Sequence, residues 1–359
     1  MGDRRNDAGA RNEELRSSGA VRARDGVRKG AMATVAPPHR GRVDTSTVLE
    51  PTTHEFIDSL ADAPPLYTLA PHDAHRVLTD LQEKHVPLAP ADIEDAIWPV
   101  GPTGETRIRI VRPKGSTDTL PLLMYFHGGG WVLGDKITHD RLVRELAVGV
   151  GAAVVFVDYI NSPDAQYPTQ NEQAYASMLY AVEHARKLCV DPARIAVAGD
   201  SVGGNMAAAV TLMAKDRSGP RIGYQVLFYP LVDYLSDNAS YRRFRNGPWL
   251  TAKTMKWMFD LQGLDGTETD VAAYPVRATL DQLRGLPDAL IITDDDILQE
   301  EGEEYAARLS EAGVRATTVR YNGTIHDFAM LNPLAETPAA RAAIAQAIGA
   351  LREALSDRG

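Results

Sequence analysis

A single cysteine, Cys189, occurs among 359 residues. No internal disulfide can form, so packing alone must hold the fold, which suits a reducing compartment. The chain has no run of eighteen apolar residues, so no segment reads as a membrane-spanning helix. Positive charge is in deficit: 38 Lys and Arg stand against 48 Asp and Glu, a net of −10. Such a surface repels phosphate backbones and anionic lipid, which argues against nucleic acid or a membrane surface as the partner. Aromatic residues are sparse at 7%, but the hydrophobic fraction of 44% is that of a globular protein and excludes a wholly disordered or collagen-like chain.

The charge is uneven. Residues 1–43 hold ten Lys or Arg and five Asp or Glu, a net of +5, which leaves −15 on the remainder. This head shows no hydrophobic period and ends near Pro37-Pro38, so it reads as a disordered basic tail, with a docking arm as the rival. Arg4-Arg5 is followed by no apolar stretch, which leaves a cytoplasmic protein as the default expectation. Residues 44–359 read as one α/β unit, although length alone would allow two domains. Helical periodicity marks Pro51–Ala61 and His72–Lys84. Strand candidates follow at Arg107–Val111, Leu122–Phe126, Ala153–Val157, Ile195–Ala198, Gln225–Tyr229, Ala289–Thr293 and Ala316–Tyr321, with helical stretches such as Asn171–Lys187 and Asn205–Lys215 between them. This alternation predicts a mostly parallel sheet covered by helices, with chemistry at the carboxyl ends of its strands.

Three segments carry the chemistry. Gly199-Asp200-Ser201-Val202-Gly203 lies between a strand and an alanine-rich helix, the strand–turn–helix setting in which a serine hydroxyl projects above a sheet. His127-Gly128-Gly129-Gly130-Trp131 directly follows a buried strand. Three consecutive glycines there need a reason, and close approach of backbone N–H groups to a substrate oxygen supplies one. Gly128, Gly129 and Val202 are the expected oxyanion donors, with Gly130 able to replace either glycine. A serine of this kind requires an acid and then a histidine later in the chain. Of nine histidines only His326 follows Ser201, which makes it the expected base. The acid should end an earlier strand, and Asp294, Asp295, Asp296 and Glu300 all qualify.

Together these residues resemble the hormone-sensitive-lipase-like carboxylesterases of the α/β-hydrolase superfamily, over about residues 45–355. His127–Gly130 is similar to the family's H-G-G-G and Gly199–Gly204 to its G-D-S-A-G-G, with Val202 for alanine. Asp158-Tyr159 with Pro163-Asp164 resembles its D-Y-x-x-x-P-E, and Asp296–Gly302 its D-P-L-x-D-E-G, which singles out Asp296 as the acid. Departures are Ile297 for proline, Glu300 for aspartate, and Asp327 after His326 where glycine is usual. That extra carboxylate beside the base should raise its pKa. The resemblance also implies a helical cap, from about residues 45–90 and an insertion near 238–272. In the insertion, Thr251 should start a helix that carries Trp257, Met258 and Phe259. Tyr67, Trp131 and Tyr159 are candidates to line the substrate pocket.

The expectation is therefore an α/β-hydrolase fold carrying a serine carboxylesterase, with Ser201, His326 and Asp296 as the catalytic triad, for uncharged short-to-medium acyl esters. No metal or organic cofactor is implied, and the partner is a small-molecule ester. Amide or thioester cleavage by the same residues, and a non-catalytic ligand receptor, stand as rivals; a homodimer is left open.

Overall fold

The computed structural model describes residues 48–356, and the basic head at 1–43 lies outside them. Two helices come first, α1 (Pro51–Ser59) and α2 (Pro71–Gln82), each with proline in its first turn, where the missing N–H costs no hydrogen bond. There follow β1 (Ala91–Trp98), β2 (Thr106–Pro113), β3 (Leu120–Phe126), α3 (Asp140–Val150), β4 (Ala153–Asp158), α4 (Thr169–Glu183), β5 (Val190–Asp200) and α5 (Val202–Asp216). The second half runs β6 (Tyr224–Phe228), α6 (Ala239–Arg243), α7 (Ala252–Gln262), α8 (Leu280–Leu283), β7 (Asp288–Asp294), α9 (Gln299–Glu311), β8 (Ala316–Tyr321) and α10 (Pro338–Leu355).

The strands form one sheet in the order β1-β2-β4-β3-β5-β6-β7-β8. β2 is antiparallel to both β1 and β4; every other pairing is parallel. β3 shows why its sequence is a continuous apolar run. Leu122, Met124 and Phe126 pack on one face with Met206 and Val210 of α5, while Leu123 and Tyr125 pack on the other with Leu142 and Leu146 of α3. A strand covered on both sides has no reason to alternate. The chain leaves β3 toward β4 on one side and β5 lies on the other, which makes the carboxyl ends of β3 and β5 the switch point where such sheets open a crevice.

All seven expected strands are present, and an eighth, β1, was not foreseen. Its pattern, Ala-Asp-Ile-Glu-Asp-Ala-Ile-Trp, is mostly solvent-exposed and pairs with β2 alone, so neither face shows the apolar period that betrays the others. The helix expected from Thr251 is α7: the Thr251 hydroxyl accepts from the Thr254 N–H at 3.1 Å, and Gly263 at φ 74° ends it.

Candidate active site

Ser201 sits where β5 turns into α5, at φ 55°, a left-handed conformation that non-glycine residues rarely hold. The surroundings fix it there: its N–H donates to the carbonyl of Phe228 at 2.9 Å, and its own carbonyl accepts from Leu231 at 3.2 Å. The flanking glycines have a steric reason. A Cβ on Gly199 would lie 2.2 Å from the carbonyl oxygen of Gly203, and one on Gly203 would lie 2.1 Å from that of Phe126. Val202 is the first residue of α5, so its N–H points out of a helix N-terminus beside the serine.

The structure brings the distant side chains together. His326, in the loop after β8, has Nε2 at 2.8 Å from the Ser201 hydroxyl and Nδ1 at 2.5 Å from Asp296 Oδ2. All three are nearly excluded from solvent. The other acids are engaged elsewhere. Asp295 accepts from the Gly323 N–H at 3.0 Å, and Glu300 accepts from the Ala239 N–H at 2.7 Å. Asp294 is fully buried and neither carboxyl oxygen has a hydrogen-bond partner. Burial, reinforced by the charge of Asp296, pushes its carboxyl well above the usual range. Asp294, Asp296 and His326 are the one group among the described residues with metal-ligand spacing, within 4.8 Å of each other, but Asp296 and His326 are already hydrogen-bonded together there.

Burial alone would lower the His326 imidazole. The charge of Asp327, the hydrogen bond to Asp296 and the charges of Asp296 and Asp294 outweigh it and raise its pKa above the ordinary value. Asp327 Oδ1 lies 3.5 Å from His326 Nε2.

The glycine loop lies beside the serine, and it corrects one expectation. The Gly128 N–H donates to Asp200 Oδ1 at 3.1 Å and is therefore committed within the protein rather than free for an oxyanion. Gly129 and Gly130, at φ 99° and 64°, line the cavity with Ser201 and Val202, and their N–H groups donate to no other backbone oxygen among the described residues. Asp200 Oδ1 also accepts from the Tyr125 hydroxyl at 2.7 Å, and Oδ2 lies 3.2 Å from His139 Nε2. Burial would raise the Asp200 carboxyl, but the His139 charge and these hydrogen bonds hold it below its usual value. Burial and the neighbouring His139 push His127 down to about 3, so that ring stays neutral. Sequence reasoning gave Asp200 no task. Its signal was a charged residue just past the end of an apolar strand candidate, a placement that demands partners once buried.

Neither Trp131 nor Tyr159 lines the cavity, nor does Tyr67, which corrects the expected substrate contacts. Tyr159 stacks on His127 with ring centroids 3.9 Å apart and donates its hydroxyl to the His127 carbonyl at 2.9 Å. Trp131 packs against Phe259 of α7. Both support the loop from behind. The cavity is apolar, with Leu78 and Leu81 of α2, Leu133, and Met255 and Met258 of α7 around Ser201. Its free volume is about 40 Å³. That is well below the roughly 150 Å³ that accepts a benzene ring. Met258 is the closest neighbour above the loop: a Cβ on Gly130 would fall 2.1 Å from its sulfur.

A serine, histidine and aspartate joined in this way, at the carboxyl ends of β5, β8 and β7 of such a sheet, define a hydrolase. Residues 123–330 match the model of the alpha/beta hydrolase fold family, and the chain belongs to that family. An esterase from Pseudomonas putida, described as thermostable, superposes with a TM-score of 0.84 at 44% identity over 86% of this chain and 98% of that one. The carboxylic ester hydrolase LipN of Mycobacterium tuberculosis is 39% identical over 273 residues, 74% of this chain and 71% of LipN. An esterase of Gibberella moniliformis is 34% identical over 86% of this chain and 98% of its own length. Within the family the protein is an ester hydrolase of the hormone-sensitive-lipase-like carboxylesterase branch.

Proposed function

We propose that this enzyme hydrolyses short-to-medium acyl esters by a covalent serine mechanism. The observation that carries the reading is His326, whose two ring nitrogens address Ser201 and Asp296 at once. Ser201 Oγ attacks the ester carbonyl as His326 Nε2 takes its proton. Asp296 orients the imidazole and stabilises its charged form. The N–H groups of Gly129, Gly130 and Val202 receive the developing oxyanion, a contribution of about 2.7–4 kcal/mol per donor in comparable sites. The tetrahedral intermediate collapses as Nε2 hands its proton to the leaving alcohol oxygen, giving an acyl-enzyme and free alcohol. Water, deprotonated by the same nitrogen, then releases the acid and restores Ser201.

The short-acyl preference rests on the small apolar cavity. We assign α1, α2, α6 and α7 to a cap over it. α2 is fastened to the sheet domain by Gln82, whose amide donates to the carbonyls of Thr138 and Met330 at 2.6 and 2.9 Å. On the other side Met255 and Met258 of α7 line the cavity.

The test is Ser201→Ala assayed on p-nitrophenyl esters from acetate to laurate. Loss of all turnover, with a fluorophosphonate labelling the wild type at Ser201 only, supports the reading. Undiminished ester cleavage by the variant refutes it. Matched anilide and thioester substrates, cleaved slower than the ester, separate it from amide or thioester hydrolysis.

A further inference from the structure

The cavity above Ser201 is lined by apolar side chains almost throughout, and among the described residues that line it Asp327 is the only carboxylate. Isolated charge in such a place is costly, so its geometry bears on what the cavity admits. The Trp249 indole N–H donates to Asp327 Oδ2 at 2.8 Å. The other oxygen, Oδ1, is left 3.5 Å from His326 Nε2. Trp249 is itself held by the Phe56 ring of α1, 5.6 Å away between centroids. The backbone carbonyl of Asp327 accepts from the N–H groups of Met330 and Leu331, both at 2.9 Å, so this residue is fixed at both ends.

Nε2 is the atom that must protonate the leaving oxygen. In the collapse of the tetrahedral intermediate that oxygen comes within hydrogen-bond distance of Nε2, and Asp327 Oδ1, 3.5 Å from the same nitrogen, is then within reach of a group attached to it. Asp296 cannot play this part, because it lies on the opposite ring nitrogen, and Asp294 is sealed from the cavity. We propose that Asp327 is a specificity-determining residue for the alcohol moiety: its carboxylate, aimed by Trp249, selects esters whose alcohol carries a positive charge, an amino alcohol, over neutral ones, and rejects those whose alcohol carries a carboxylate.

The inference rests on the serine-esterase reading above, and the experiment separates the two. Three acetate esters are compared at pH 8 by kcat/KM: that of choline, that of its uncharged isostere 3,3-dimethylbutanol, and that of a hydroxy acid of similar length. They share acyl group, nucleophile and base, so any change in His326 protonation cancels in their ratios. For the wild type, the cationic ester should exceed the neutral one, and the neutral one the anionic one, each by about tenfold, as a partly screened charge pair some 5 Å apart would give. Asp327→Asn should compress both ratios to within about twofold. Asparagine tolerates the φ of 67° found here, and Asp327→Gly, which suits that conformation still better, serves as a second variant should the first fold poorly. Ratios that stay the same in both variants overturn the inference while leaving the esterase intact. A wild type that cleaves none of the three, nor p-nitrophenyl acetate, overturns the underlying reading and this inference with it.

Discussion

The carboxylate of Asp200, the residue before the nucleophile, accepts a hydrogen bond from the backbone N–H of Gly128, 72 residues away in sequence, at 3.1 Å. It also takes the Tyr125 hydroxyl and faces His139, so one buried side chain sets the spacing between the glycine loop and the serine turn. Asp200→Asn keeps the shape but places an amide NH₂ where a donor already points. The oxyanion N–H groups on Gly129 and Gly130 would then sit slightly out of place. Since those donors act chiefly in the transition state, kcat should fall by about tenfold to a hundredfold, with KM little changed. Steady-state kinetics on p-nitrophenyl acetate, alongside a thermal melt to establish folding, measures this. A kcat within about twofold of wild type would mean the loop holds its geometry without Asp200.

The pH dependence of kcat/KM should have its acid limb above the ordinary imidazole value of about 6.5. Burial lowers the His326 pKa, but the charge of Asp327 and the Asp296 hydrogen bond raise it by more. Only the neutral ring can accept the Ser201 proton, so the rate rises as pH climbs through that raised value. Asp327→Asn removes one of the raising charges and should move the limb to lower pH. The same shift is a stability term. It is fully present below the unfolded-state value and is lost as pH rises through the folded-state one. A limb at or below 6.5 in the wild type contradicts this account.

Glu301 gives a second pH signature, away from the chemistry. It is buried and accepts from the N–H groups of Val232 and Asp233 at 2.7 and 3.3 Å. Burial nevertheless dominates and pushes its pKa up to about 8. A carboxyl whose folded-state pKa is raised favours folding below its unfolded value and loses that contribution as pH rises through about 8. Glu301→Gln keeps an oxygen acceptor for Val232 and removes the titration. Urea unfolding from pH 6 to 9 should show the variant gaining on the wild type as pH rises. The relative gain is about 1.4 kcal/mol for each pH unit between the unfolded-state value and about 8, and it levels off above that. Parallel curves would place the cost elsewhere.

What the sequence disclosed depended on whether the signal was local. Ser201, His326 and the seven expected strand segments were legible because each rests on a short motif, a hydrophobic run or chain order. Choosing Asp296 among its neighbours was not a matter of spacing; it needed a family resemblance, and in the structure Asp295 and Glu300 turn to backbone N–H groups instead. β1 was missed because an exposed edge strand has no buried face to impose a period. Gly128 was misjudged because its N–H is satisfied by a side chain 72 residues on, and Tyr159 because an aromatic next to a motif can support a loop as readily as line a pocket. The contact between Trp249 and Asp327 spans 78 residues and has no motif at all.

Chain-length selectivity should be set by Met258. Its side chain is almost wholly buried, lies over Gly130 and lines the cavity whose free volume is only about 40 Å³. Met258→Ala removes most of that side chain from directly above the oxyanion loop without touching Ser201, His326 or Asp296. Two consequences oppose one another. Truncating a buried methionine costs about 2–5 kcal/mol when the hole stays empty, so the melting temperature should fall. The enlarged cavity, however, admits a longer or branched acyl chain whose burial contributes about 0.8 kcal/mol per methylene. The ratio of kcat/KM for p-nitrophenyl hexanoate to that for acetate should therefore rise, by about tenfold if two methylenes find new room. Adding hexanoic acid should recover part of the lost stability, because a ligand that fills the hole binds only the folded chain. If the variant melts lower but its chain-length profile superimposes on that of the wild type, the acyl group lies against α2 rather than α7, and Leu78 and Leu81 become the residues to change.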